Sequence, residues 1–322
     1  MKRSELFSRI LISLGLILLL SVPFIARNAA ARGIIEIHAR MAGAGGWMPS
    51  VIQAQVGVPL HLRLTSDDVT HGFAVGQMVQ PSMDVLPGKM TDVTLMFDKP
   101  GSYTFYCTRW CGPDHWRMRG TIQVSGSSPE PTETASSPLY TQLGLDIDAA
   151  HPAIATPAGT PSAERGAGLA ARIPSRYLAP DYYFSHSPAQ VFQDLRGEAA
   201  LQDLSDSSIW DAVANIWQTN VTPVNFAEGK KLYAQNCAAC HGETGGGNGV
   251  FASNVKALAG KTPANFGDPA SLLGAAPALL QGKILRGGMG TGMPAWGPIL
   301  TSQQTWDLVS YLYSWQFEEK NK

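Results

Sequence analysis

The chain has 322 residues, a formal net charge of −1 at pH 7, and charged residues at only 15%. So neutral a balance offers no basic surface for nucleic acid, and the length allows two ordinary domains with connecting segments. Gly (33) and Pro (22) are frequent, which argues against a plain helical bundle and for loop-rich domains.

Residues 1–31 begin with Lys2, Arg3 and Arg9, and an uncharged run follows from Ile10 to Ala26, ending at Arg27. The run is short for a membrane span and slightly long for a signal-peptide core. It reads as a retained single-span anchor; the alternative is a signal cleaved near Ala29-Ala30-Ala31. In both readings the basic start stays cytoplasmic and the rest is exported.

Residues 32–125 predict an all-β domain. Short apolar runs, Ile34–His38, Leu60–Leu64, Val93–Phe97 and Thr121–Val124, are separated by turns such as Pro87-Gly88 and Pro100-Gly101. Several short strands in this length suggest a small sandwich or Greek-key barrel.

The four cysteines form two pairs, Cys107/Cys111 and Cys237/Cys240, each beside a histidine, His115 or His241. A structural disulfide has no need of a neighbouring His, whereas metal and haem sites do. The segment Cys107-Thr-Arg-Trp-Cys111-Gly-Pro-Asp-His115-Trp-Arg-Met118 is joined upstream by Asp68-Val-Thr-His71. Two thiolates, two imidazoles and a thioether form a soft ligand set that suits copper. A mononuclear electron-transfer copper uses one Cys, so the second Cys points to two bridged ions. A disulfide, a Cys2His2 zinc site and a metal-free core are the competing readings; the first two leave Met118 without a role.

Residues 126–186 are rich in Pro, Ala, Ser, Thr and Gly, and the composition predicts a flexible linker, with a reach of roughly 40 Å for about 50 residues. Beyond it the pattern turns helical and repeats. Leu195-Arg196-Gly197 matches Leu285-Arg286-Gly287, and Leu204-Ser205…Trp210-Asp211…Val213 matches Leu300-Thr301…Trp306-Asp307…Val309. Residues 187–222 then read as a haemless remnant of the unit at 223–322. Two unrelated amphipathic helices carrying a Trp would align similarly.

Cys237-Ala-Ala-Cys240-His241 is a haem c attachment motif, with His241 placed to reach the iron. Met293, in Gly292-Met-Pro-Ala-Trp296, suits the opposite axial position, with Met289 as its rival; Met/His ligation raises the potential. His38, His61, His151 and His186 are assigned no ligand role.

His71, Cys107, Cys111, His115 and Met118 resemble the CuA motif of cytochrome c oxidase subunit II over roughly residues 45–125. The region 224–318 resembles class I cytochromes c, with Gly229, Tyr233, Tyr311 and the loop Gly245–Gly249 in register. These resemblances imply a cupredoxin-like Greek-key barrel joined to an all-α cytochrome c, with dinuclear copper (CuA) and haem c as cofactors. They imply the Arg109 backbone carbonyl as a further copper ligand. Many family members carry Glu there, whose side chain also meets magnesium, a role a guanidinium cannot fill. Trp47 is the nearest match to the family's exposed aromatic where electrons enter, with a core or hairpin Trp as the equal alternative. A single N-terminal span looks more like B-type oxidases. The implied role is an electron-transfer subunit without an oxygen-reducing site of its own, on the outer face of a cell membrane. Its implied partners are a catalytic subunit I and, as donor, a cytochrome c, a cupredoxin or a quinol-oxidising complex. The haem domain would be tethered beside copper without a permanent interface. A nitric oxide reductase subunit and a free-standing exported carrier are the alternatives.

Overall fold

The computed structural model describes residues 33–78, 82–127, 137–288 and 291–318. The anchor or signal expected at 1–31 and the rival ligand Met289 lie outside the described residues. Among the described residues no helix is long and apolar enough to cross a membrane.

The N-terminal half is a two-sheet β sandwich. Its strands are β1 (Ile34–Ala39), β2 (Trp47–Met48), β3 (Val51–Gln55), β4 (Leu60–Ser66), β5 (His71–Val75), β6 (Met83–Val85), β7 (Thr91–Leu95), β8 (Gly101–Tyr106) and β9 (Arg119–Ser125). One sheet runs in the order β2-β1-β4-β7 and the other β3-β9-β8-β5-β6. The pairs β1/β4 and β3/β9 are parallel, and the other pairs are antiparallel. Strands β3, β7 and β9 alternate buried with more exposed residues, the period-two pattern of a sheet with one face on a core. Ile37, Leu62, Leu64, Phe73, Phe105 and Ile122 fill that core.

Strand β5 departs from the alternation, because all five of its residues are buried. Phe73 and Val75 enter the sandwich core, while Ala74 packs into the core of the helical half. The sheet β3-β9-β8-β5-β6 is therefore covered on its outer face as well.

Over its described part, 137–186, the segment expected to be a flexible linker instead packs into the helical half. Residues 137–186 run as short helices and straps, with Ile147, Ile173, Tyr177 and Tyr183 buried in the same core as Leu195, Ile209 and Val309. Composition is misleading here because a few well-spaced large side chains suffice to seat an irregular strap on preformed helices. The Pro, Ala and Gly between them lose little side-chain entropy on ordering.

The internal repeat has a matching helix crossing in each copy. Helix Ala163–Ala167 meets helix Asp206–Thr219 at Gly166, where a Cβ would lie 1.9 Å from the Asp211 carbonyl oxygen. Helix Pro223–Asn236 meets helix Ser302–Tyr313 at Gly229, where a Cβ would lie 2.1 Å from the Asp307 carbonyl oxygen. In each copy the aspartate side chain also ties the first helix down. Asp211 accepts from Ser162 N at 2.7 Å and Asp307 from Asn225 Nδ2 at 2.6 Å. The first unit thus reaches back to about Ser162, ahead of the expected boundary at 187. The two units pack through Trp217 against Tyr313 and Phe184 against Trp306.

Candidate functional site

The loop between β8 and β9 carries all three sulfur donors and His115, and β5 begins at His71 beside it. The ladder continues past the strand ends, since Cys107 N donates to Met118 O at 3.1 Å. The two cysteines are free, and their sulfurs lie 3.9 Å apart, far beyond the ~2.05 Å of a disulfide. His71 Nδ1 lies 3.8 Å from Cys107 Sγ, and His115 Nδ1 lies 3.5 Å from Cys111 Sγ. Met118 Sδ is 3.3 Å from Cys111 Sγ, and the Arg109 carbonyl oxygen is 3.2 Å from Cys107 Sγ. All the predicted copper donors therefore surround one buried pair of sulfurs. His71, Cys107 and Cys111 offer ligand atoms within 4.8 Å of one another.

The contact between the two sulfurs and the neighbouring His115 and His71 lower the Cys107 pKa against the opposing effect of burial, and the nearby Cys107 together with burial raises that of Cys111. A buried pair of sulfurs, one of them favoured toward the thiolate, fits a soft cation. His71 is oriented from behind: its Nε2 donates to Asp68 Oδ1 at 2.7 Å, which leaves Nδ1 toward the sulfur. Burial alone would lower the His71 pKa, but hydrogen bonds with Cys107 and Asp68 raise it overall. Asp68 itself is anchored by Met41 N at 2.7 Å and Val69 N at 2.6 Å. The sequence motif Asp68-Val-Thr-His71 contained this contact, but its function as an orienting pair was not legible there.

Of the two readings open for Trp47, the structure takes the core one. Trp47 is only 1% exposed and lies in the sandwich core, its Nε1 donating to Met118 O at 3.1 Å and its ring edge-on to Phe73 and Phe105. It therefore presents no surface where electrons could enter from outside and acts as a buttress beneath the loop. The exposed aromatic is Trp110, between the cysteines, at 41% exposure. The Arg109 side chain points away from the sulfurs and grips Asp84, with Nη2 to Oδ2 at 2.7 Å.

The second site lies in the helical half. Cys237 and Cys240 are free thiols one helical turn apart, beside His241. His241 stacks on Phe266 (centroids 4.6 Å apart) and its Nδ1 lies 3.1 Å from the Ala264 carbonyl oxygen. That contact makes Nδ1 the donor and leaves Nε2 free for an iron. Desolvation lowers the His241 pKa, which favours the neutral ligand form, and burial pushes the Cys237 thiol up to about 12. The glycine loop is tied over the motif, with Gly247 N donating to His241 O at 2.8 Å and Gly249 N to Cys240 O at 3.2 Å. Tyr233 braces the far side by donating to Gly242 O at 2.7 Å and packing on Tyr311. Met293 is partly buried against the helical core. Its carbonyl accepts from Gly288 N at 3.1 Å, which pins the Met loop to the end of helix Pro277–Arg286. Two thiols, an oriented imidazole and a thioether on a pinned loop suit a covalently held haem.

The two sites meet. Phe251, which follows the glycine loop, packs on Trp110 (5.4 Å) and Trp116 (4.6 Å), and Trp110 also lies 5.8 Å from the His115 ring. The expectation of a haem domain tethered without a permanent interface is replaced by a packed junction.

Residues 49–125 match the family model for the periplasmic domain of cytochrome c oxidase subunit II, and residues 226–316 match that for cytochrome c. One chain thus carries a segment similar to the subunit II periplasmic domain and a segment similar to cytochrome c. Cytochrome c oxidase subunit 2 of Thermus thermophilus is 38% identical over 84 residues, which are 26% of this chain and 62% of that protein. The corresponding protein of Synechocystis is 26% identical over 104 residues, 29% of this chain and 31% of that protein. The chain thus spans less than two thirds of the length of these curated relatives. Among solved structures, the periplasmic domain of subunit II from Bradyrhizobium japonicum is 19% identical over 29% of this chain and 84% of that one, with a TM-score of 0.25. A chain of a heme-copper terminal oxidase dimer is 26% identical over 38% of this chain and all of that one, also with a TM-score of 0.25. The sandwich is similar to a domain described as periplasmic, and the two matched families imply copper and haem c as cofactors, which the donor sets above accommodate.

Proposed function

We propose that this chain is the electron-input subunit of a haem–copper terminal oxidase, with no oxygen chemistry of its own. Haem c is held by Cys237 and Cys240, with His241 and Met293 as axial ligands. Dinuclear copper is held by Cys107 and Cys111, with His71, His115, Met118 and the Arg109 carbonyl completing the set. Electrons pass from a donor to the haem, on to copper, and then to a catalytic subunit where oxygen is reduced. The observation that carries the route is the Trp110 ring, which touches Phe251 of the haem unit on one side and the copper-site His115 on the other. The donor is a cytochrome c, a cupredoxin or a quinol-oxidising complex. Residues 1–31 anchor the chain in the cell membrane as a single span. The first helical copy, which has no cysteine, is a haemless remnant that braces the haem copy.

Detergent extraction and purification test this reading. The chain is expected to copurify with a catalytic subunit that consumes oxygen when a reduced donor is supplied. Extraction without detergent, as a single polypeptide, would contradict it. Consumption of nitric oxide in place of oxygen would move the chain to a nitric oxide reductase.

A further inference from the structure

The junction between the two halves is built from residues that flank the copper donors. Along β8 and β9, side chains alternate faces. Cys107 and Met118 turn toward the copper site, so their strand neighbours Tyr106 and Arg119 turn the other way. Tyr106 pairs with Arg119 across β8 and β9, and Ala74 pairs with Tyr106 across β5 and β8. The three form one row across the sheet. Ala74 and Tyr106 are both buried in the core of the helical half.

Arg119 closes this row against the loop that carries Met293. Its Nη1 donates to the Ala295 carbonyl oxygen at 2.9 Å, and its guanidinium lies 5.2 Å from the centre of the Trp296 ring. Its Nη2 is buried and has no partner among the described residues. A half-buried guanidinium whose buried Nη2 goes unpaired is an expensive arrangement. The neighbouring chain reinforces the contact. Gln77 N donates to Ile299 O at 2.9 Å, and Gln77 Nε2 donates to Gly297 O at 3.3 Å. At Gly76 the halves touch backbone to backbone: a Cβ there would lie 2.7 Å from Ile299 Cα and 2.9 Å from Pro298 O.

We infer that Arg119 is a positioning residue that clamps the Met293 loop onto the copper-bearing sheet, so that haem and copper exchange electrons in one fixed geometry instead of through encounters of tethered domains. The inference rests on the haem-to-copper route proposed above. One electron crosses, from reduced haem to oxidised copper, and no bond forms or breaks. The residue holds no metal and touches neither centre. Its effect comes through the 2.9 Å contact with Ala295, two residues from Met293.

The test uses the full chain loaded with copper and haem, as Arg119→Met, Arg119→Lys and Gly76→Val variants. The first readout is amide hydrogen exchange of segment 293–300 and of Gln77. In Arg119→Met and Gly76→Val, exchange there rises by about tenfold or more, comparable with losing one hydrogen bond from a charged donor, while β3 and β9 stay protected. Arg119→Lys, which keeps the charge and one donor, recovers part of the protection. The second readout is the haem-to-copper transfer rate after rapid reduction of the haem. In the wild type it is independent of solvent viscosity; in Arg119→Met and Gly76→Val it falls and becomes viscosity-dependent, while the haem and copper spectra are unchanged. Wild-type exchange and wild-type rates in both variants would overturn the clamp and leave the route standing. A loaded wild type in which no electron reaches copper would overturn the route, and the clamp with it.

Discussion

Replacing Asp68 by Ala removes the carboxylate that holds His71 in its pose. Asp68 accepts from His71 Nε2 at 2.7 Å, Met41 N at 2.7 Å and Val69 N at 2.6 Å. The His71 side chain is 0% exposed, so its Nε2–H finds no water once the carboxylate is gone. An orphaned buried donor costs about 1–3 kcal/mol. At about 1.4 kcal/mol per tenfold, that corresponds to copper binding weakened by roughly five- to 150-fold. The estimate agrees with the roughly tenfold to hundredfold loss usual when a carboxylate behind a metal-bound histidine is removed. Asp68→Asn keeps an acceptor oxygen in place and is expected to lose less than about tenfold. Competition titration of copper against a chelator, on chains with intact haem, measures both. An Asp68→Ala chain that binds copper within about twofold of wild type would refute the reasoning, because the ring would then be held by the loop alone.

Cys111→Ser is expected to abolish the mixed-valence copper spectrum, and an unchanged spectrum would rule out a bridging role. Met293→Leu is expected to remove the low-spin Met/His haem features; if Met289→Leu does so instead, the axial assignment is wrong. Gly229→Ala forces a methyl to 2.1 Å from the Asp307 carbonyl oxygen and 2.9 Å from Tyr311 Cβ. Overpacking of about 1–3 kcal/mol there outweighs the ~1 kcal/mol helix-propensity gain of Ala over Gly. A lower denaturation midpoint is expected, and a raised one would show that the two helices are not held at that spacing.

The chemistry of both sites was legible in the sequence because their donors are clustered. The copper loop packs its sulfurs and one imidazole into residues 107–118, with His71 supplied by a strand start. The haem motif is five consecutive residues, 237–241. Local spacing decides such sites: a loop that closes on itself, or one turn of helix, carries the side chains together whatever the rest of the chain does. The short apolar runs between Pro-Gly turns likewise pointed to the sandwich, and the repeated Leu-Arg-Gly and Trp-Asp blocks pointed to two copies of one helical unit.

What depended on contacts distant in sequence was decided only by the tertiary structure. Trp47 reads equally as an exposed aromatic or a core one until Met118, Phe73 and Phe105 are seen to close around it. Residues 137–186 have a linker's composition, and only the helical surface beneath Ile147, Ile173 and Tyr183 gives them a fold. Arg119 is one basic residue on a strand until the Met293 loop, brought from 176 residues away, accepts its hydrogen bond. Composition and periodicity report how a segment relates to its own neighbours and to solvent. They carry no record of which distant surface will take the solvent's place, and here that surface joins the haem unit to the copper sheet.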